Sequence, residues 1–268
     1  ASAWLKCHHP AAFLTALLNA QPLGFYTPDQ LLQDAMRHRL EVRPPDVRVS
    51  GWDSHLEGQG LGPLVPGGPS VRPAIRLGLR VIAGLRQDSV TRLVRARAEA
   101  PFKDVADLAQ RAALDQRDLP LLADAGALEN LAGNRHVARW VATGIEATLP
   151  LFGTTAEPSA TIRAPTPEES LAADFGSMGL STHGHPMALW RPHLERQGVL
   201  TLAEAARLPH GRRVRVAALV GLRQQPPAAK GTCFLTLEDE SQWLSAVLWP
   251  DVAERCRVVL RSERFITA

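Results

Sequence analysis

The hydrophobic period changes once along this chain, and that change constrains the fold more than any other feature. Up to about residue 211, apolar residues recur mostly at helical spacing, in short segments punctuated by proline and glycine. From Arg212 onward they recur every second residue. A period of 3.6 builds one apolar stripe on a helix, whereas a period of two sends alternate side chains to opposite faces of a strand. The pattern therefore predicts a multidomain α+β protein, mainly helical first and β afterwards. With 268 residues there is enough chain for two or three small domains.

The helical part carries its own start and stop signals. Residues 3–20 read as helix with a break at His9-Pro10, because proline suits a first helical position. Phe13, Leu14, Leu17 and Leu18 form its apolar face, and Gln21-Pro22-Leu23-Gly24 ends it. Thr27-Pro28-Asp29-Gln30 has the form of a capping box and restarts a helix through Met36. Residues 41–47 read as extended. Residues 51–73 are dense in glycine and proline and read as an irregular loop. Residues 76–82 look strand-like or like a helix start. Helices are predicted over 87–99, 104–112, 116–124 and 134–147. Residues 148–167, rich in Pro, Thr and Ala, read as a linker. Residues 168–211 read as a connector of short helices.

Two constellations bear on function. In the first, over 74–147, short helices follow one another through tight turns at Ala83-Gly84-Leu85-Arg86 and Leu114-Asp115-Gln116. This order matches two helix-hairpin-helix units in tandem. A glycine turn lets backbone N–H groups approach a phosphate oxygen, and the following helix N-terminus adds partial positive charge. Gly84, Leu85 and Arg86 would make that contact, with Arg80 and Arg92 adding charge. The other reading is a helical bundle with ordinary turns, since the turn lacks a second glycine.

In the second, over 212–268, Val214, Val216, Ala218 and Val220 alternate with Arg213, Arg215, Ala217 and Leu219, predicting a half-buried strand with arginines on one face. Strands near 232–239 and 243–249, a helix over 250–261 and a strand at 264–266 follow. Three strands, a helix and a strand is the order of an OB-fold barrel lacking its fifth strand. Both ends of the chain thus look cut: the first helix begins with an apolar Trp4 and no leading partner. OB folds bind single strands by stacking bases on aromatics beside basic residues. Phe234, Trp243 and Trp249 with Arg213, Arg215, Arg223 and Lys230 are the candidates here, against the alternative that such aromatics are core.

Chemistry is otherwise sparse. Cys7, Cys233 and Cys256 are odd in number and far apart, which argues against a zinc site and for reduced thiols. Asp104 and Asp107 read as N-terminal helix charges, and Glu238-Asp239-Glu240 as a solvated turn. His8-His9 is not spaced for a metal, and His183-Gly184-His185 is a weak candidate. No phosphate-cradling glycine loop or nucleophile elbow is present. No residue is assigned a catalytic or metal-binding role. The apolar runs are shorter than a membrane span and no secretory signal stands at the start, so a cytoplasmic location without membrane contact is expected. The net charge of +3 comes from basic residues that are nearly all arginine, the lysines being Lys6, Lys103 and Lys230. GC-rich coding explains that bias, and so does phosphate binding.

Several blocks together resemble C-family bacterial DNA polymerases of the error-prone branch. They are Lys6–Tyr26, with Asn19-Ala20-Gln21-Pro22; Glu41–Val47; Ile75–Arg86; Pro101–Leu108; Leu122–Leu128; Gly179–Met187; and Lys230–Glu240. The resemblance implies a C-terminal fragment running from the end of a fingers domain (1–50) through the tandem hairpins to a truncated OB fold. The palm and its catalytic aspartates would lie upstream, so the fragment alone would be inactive. The parent would be a translesion DNA polymerase using Mg²⁺ and dNTPs, while the fragment itself needs no cofactor. Its implied partners are primer–template and single-stranded DNA, a Y-family-like mutagenesis protein, and the sliding clamp indirectly. A stand-alone nucleic-acid-binding module and a non-catalytic interaction adaptor are the alternatives.

Overall fold

A computed structural model describes residues 2–24, 26–58, 73–145 and 162–268. They form two compact units, Ala1–His183 and Gly184–Ala268. The predicted connector therefore divides: its first helix belongs to the first unit and its later ones to the second.

In the first unit, α1 (Ser2–His8) and α2 (Pro10–Asn19) meet at His9, with Pro10 at the first helical position of α2. α3 (Pro28–Arg37) has the expected capping box. The Gln30 amide donates to Thr27 Oγ1 at 3.2 Å, and the Thr27 amide to Gln30 Oε1 at 3.1 Å. Leu14, Leu18 and Leu32 bury the facing sides of these helices.

A three-stranded sheet follows. Its central strand β3 (Ala74–Arg76) runs parallel to β1 (Val42–Arg43) and antiparallel to β2 (His55–Glu57). The 51–73 stretch, expected to be irregular throughout, thus contributes a strand. Ionic ties stabilise its register: Glu57 accepts from Arg76 Nε and Arg43 Nη1, both at 2.9 Å. Residues 59–72 lie outside the described ones. A 3₁₀ turn, Leu79–Val81, comes directly after β3, so the ambiguous 76–82 segment is a strand end followed by a helical turn. Gly78 makes this turn possible, because a Cβ there would lie 2.3 Å from backbone atoms of Trp52 and Asp53.

Next come α4 (Gln87–Glu99), α5 (Val105–Arg111), α6 (Asp118–Asp124), α7 (Glu129–Ala132), α8 (Arg135–Gly144) and α9 (Pro167–Met178). Leu79, Leu93, Leu108, Leu119, Leu122 and Leu128 are all at most 1 % exposed and weld the short helices into one core. Burial compensates for lengths at which an isolated helix would not persist. Asp104 caps α5, and Asp107 accepts from the Lys103 amide and Arg111, as expected of N-terminal helix charges. Arg163 and the Thr166 amide hold Glu169, in the first turn of α9, down to about 2. Residues 148–161 of the predicted linker lie outside the described ones.

The second unit contains α10 (Pro186–Arg196), α11 (Leu202–Ala206), β4 (Ala217–Gln224), β5 (Cys233–Glu238), β6 (Trp243–Leu248), α12 (Pro250–Arg255), α13 (Arg257–Ser262) and β7 (Phe265–Thr267). The sheet order is β6-β5-β4-β7, antiparallel throughout and not closed. A three-strand meander, a helical crossover and a fourth strand returning to the first is consistent with a partial OB-like fold. Val216, Ala218, Val220, Leu235 and Leu237 face the core with Leu260.

Two expectations are corrected here. Arg213 and Arg215 do not lie on a strand. The β4 ladder starts at Ala217, Val216 just before it bridges Leu200 and exchanges backbone bonds with Ala268, and both arginines are exposed ahead of it. The acidic turn is not solvated either: Glu238 is 3 % exposed and Asp239 0 %. Asp239 accepts from the amides of Leu202 (2.7 Å), Ser241 (2.8 Å) and Gln242 (3.1 Å) and from Arg191 (3.2 Å). Its charge thus ties α10 and α11 to the β5–β6 turn.

Candidate nucleic-acid interface

The first hairpin turn has the backbone its sequence demanded. Gly84 sits at φ +80, in the left-handed region that favours glycine. Ala83, Gly84 and Arg86 are exposed, whereas Leu85 is buried and pins the turn to the core. The Ala83 amide is spent on the Ser177 carbonyl at 2.9 Å and the Leu85 amide on the Ile82 carbonyl at 3.3 Å. The Gly84 amide has no acceptor among the described residues. It lies just before the N-terminus of α4, whose dipole favours an anion.

The arginines grouped with this turn are occupied differently from what their spacing suggested. Arg86 donates to Asp115 Oδ2 at 2.6 Å and to the buried Asp118 at 2.8 Å, tying the first turn to the second. The bonds it donates to Asp118 and then Asp115 raise its pKa further. Arg80 donates to Asp53 and the Asn19 carbonyl, both at 2.7 Å. Arg92 donates to the carbonyls of Ala112 (3.1 Å) and Ala113 (3.2 Å). All three brace the first unit, so an anion at this turn would meet backbone N–H groups before any side-chain charge. Asp115, in the second turn, is itself structural, its Oδ1 accepting from the Asp118 amide at 2.9 Å.

The second unit gathers part of the other group. Along β5 and β6 the outward residues pair in rows: Phe234 with Val247, and Glu238 with Trp243. A bulge at Gly221 keeps Leu222 and Gln224 on the same face, and Phe265 joins it opposite Leu219. Phe234 (39 % exposed), Trp243 (38 %), Leu222, Val247 and Phe265 thus form one open apolar face, with Trp243 Nε1 donating to Glu238 Oε1 at 2.8 Å. The first two were predicted. The other three follow only from the register. Arg223 pairs with Leu235 and turns to the opposite face, where it donates to the Glu263 carbonyl, so it does not stand beside Phe234 and Trp243. Lys230 is exposed in the β4–β5 loop at φ +47, and Trp249 is exposed at the start of α12.

One buried polar network had no sequence signal beyond scattered charges. Asp174, 1 % exposed, accepts from Arg135 (2.6 Å), Ser181 (2.6 Å) and His183 Nδ1 (2.8 Å). Burial pushes its carboxyl up, but these hydrogen bonds outweigh it and the pKa ends below the ordinary value. The same bond raises His183. The His183–His185 pair is thereby spent locally: His185 accepts from the Met187 amide at the start of α10. Among the described residues, no group of three or more His, Cys, Asp or Glu could hold a metal, and no helix is long and apolar enough to cross a membrane.

The helix-hairpin-helix motif family matches residues 39–138. The chain is also similar to proteins named error-prone DNA polymerase. It is 49 % identical to that of Alkalilimnicola ehrlichii over 99 % of its length, 49 % to one from Pseudomonas fluorescens over 97 %, and 50 % to that of Pseudomonas aeruginosa over 96 %. It spans about a quarter of these relatives, 24–26 % of each. The resemblance drawn from the sequence blocks is therefore matched along nearly the whole chain.

Proposed function

We propose that this chain is the DNA-holding, non-catalytic part of an error-prone DNA polymerase, whose bond-forming site lies in the portion of the parent that the chain does not span. The observation that carries the reading is the exposed Gly84 turn: left-handed backbone, an unspent amide and a following helix N-terminus, within the helix-hairpin-helix match. Such a turn contacts phosphate without reading sequence, which suits a polymerase that slides along its template. The open face of Phe234, Trp243, Leu222, Val247 and Phe265 would stack unpaired template bases. The residues proposed to meet DNA are Gly84 and Arg86 at the turn, with Phe234, Trp243, Lys230, Arg213 and Arg215 on the second unit. Mg²⁺ belongs to the parent's catalytic portion. A mutagenesis partner and an indirect link to the sliding clamp are proposed on the strength of the resemblance alone.

Fluorescence anisotropy with a labelled primer–template tests this. Binding should tighten as salt falls, with log K linear in log[salt], and primer extension by the chain alone should be absent. No binding to duplex or single-stranded DNA at 50 mM salt (about the low end of the range in which such contacts are read) would refute the reading in favour of an interaction adaptor.

A further inference from the structure

On the face of the sheet opposite the aromatics, a cleft of about 560 Å³ opens between the β4–β5 loop and the α12–α13 pair. Three arginines line it: Arg223, Arg257 and Arg261. One carboxylate, Glu254, is present and reaches Arg257 Nε at 3.3 Å, in a pair more than half exposed on both sides and so weakly held. Arg261 has no ion-pair partner among the described residues. Arg223 is anchored by its bond to the Glu263 carbonyl, while its Nε is buried without an acceptor. Three like charges around one cleft with a single counter-charge repel one another unless an anion joins them.

We infer that the Arg223–Arg257–Arg261 cleft is a phosphate-binding site. Guanidinium forks match phosphate oxygens in geometry and stay charged at every physiological pH. Gln224, at the rim, pairs in register with Phe234, so the cleft opens at the same end of the sheet as the Phe234–Val247 row. A single strand stacked on Phe234 would therefore lead its backbone around the sheet end into the cleft, with Lys230 on the adjoining loop. The same chemistry would hold a free phosphate or nucleotide. The polynucleotide source rests on the DNA-holding reading above, and the site itself does not.

The test compares the unaltered chain with Arg257→Gln/Arg261→Gln, both surface side chains, and with Arg261→Glu as a second variant. Phe234→Ala serves as a control on the aromatic face. Probes are a labelled oligothymidylate of about twelve nucleotides and inorganic phosphate measured by calorimetry. The double variant should bind the oligonucleotide about tenfold more weakly with a salt slope smaller by about 1.4, two contacts at about 0.7 each on a single strand. It should also lose phosphate binding, while Phe234→Ala keeps it. Loss of phosphate binding with unchanged oligonucleotide affinity supports the cleft and makes free phosphate its source. Phosphate bound by the unaltered chain but no oligonucleotide refutes the DNA-holding reading and leaves the cleft standing. Variants that bind phosphate and oligonucleotide like the unaltered chain, or an unaltered chain that binds no phosphate and shows an unchanged salt slope on substitution, overturn the inference.

Discussion

Replacing Arg135 by methionine should cost the first unit about 3 kcal/mol, the lower end of the roughly 3–5 kcal/mol lost when one partner of a buried ion pair is removed. Arg135 is 5 % exposed and Asp174 1 %. The substitution removes the 2.6 Å bond to Asp174, the 2.8 Å bond to the Ser170 carbonyl and the 3.1 Å bond to Glu129. Methionine refills the hydrocarbon volume, so the loss is electrostatic and not a cavity. The lower end applies because Ser181 and His183 still donate to Asp174. For a unit of this size each kcal/mol shifts the midpoint by about 2–4 °C, so melting followed by circular dichroism should show a drop of about 6–12 °C. Asp174→Asn in the same background should be far less costly than in the unaltered chain, a coupling of about 2 kcal/mol in a double-mutant cycle. A loss below about 1 kcal/mol for Arg135→Met, or independent effects of the two substitutions, would refute the claim that this buried charge is held by its arginine.

Further expectations follow from single contacts. Gly78→Ala should leave little folded protein, because its Cβ meets backbone at 2.3 Å, whereas Gly84→Ala should cost only about 1–2 kcal/mol of left-handed strain; comparable yields of the two would contradict this. Arg86→Ala should lower the melting temperature as well as DNA affinity, since it strips a partner from the buried Asp118; weaker binding at unchanged stability would show its role to be DNA contact alone. His183, whose pKa is raised by Asp174, adds stability that is complete below its unfolded value of about 6.5 and lost as pH rises through the folded value. Asp174, whose pKa is lowered, acts in a separate window, its contribution lost as pH falls through its folded value. The groups facing His183 there are Asp174, Arg135 and Glu129. Chemical denaturation from pH 6 upward should therefore show a decline that His183→Gln lacks, and parallel profiles would refute it.

Local chemistry was legible without coordinates. The Thr27 box, Pro10 at a helix start, Asp104 as an N-terminal helix charge and the glycine at position 84 each satisfy a rule written in neighbouring residues, and the period change announced the β half. Motif blocks likewise carried the likeness to error-prone polymerases, because they are contiguous. Tertiary structure alone decided where charges go. Arg80, Arg86 and Arg92 were spaced to meet a ligand and instead close on carbonyls and carboxylates 20 to 61 residues away. Glu238 and Asp239 were placed in water by composition, but the amides of α11 and Arg191 drew Asp239 inside. Strand register separated Arg223 from the aromatics beside which it was first grouped, and joined Leu222, Val247 and Phe265 to them. The physical reason is common to all three. A cap or turn is satisfied by groups within four residues, whereas a buried charge or a sheet face is satisfied by whatever the fold brings opposite it, and that partner leaves no mark at the position itself.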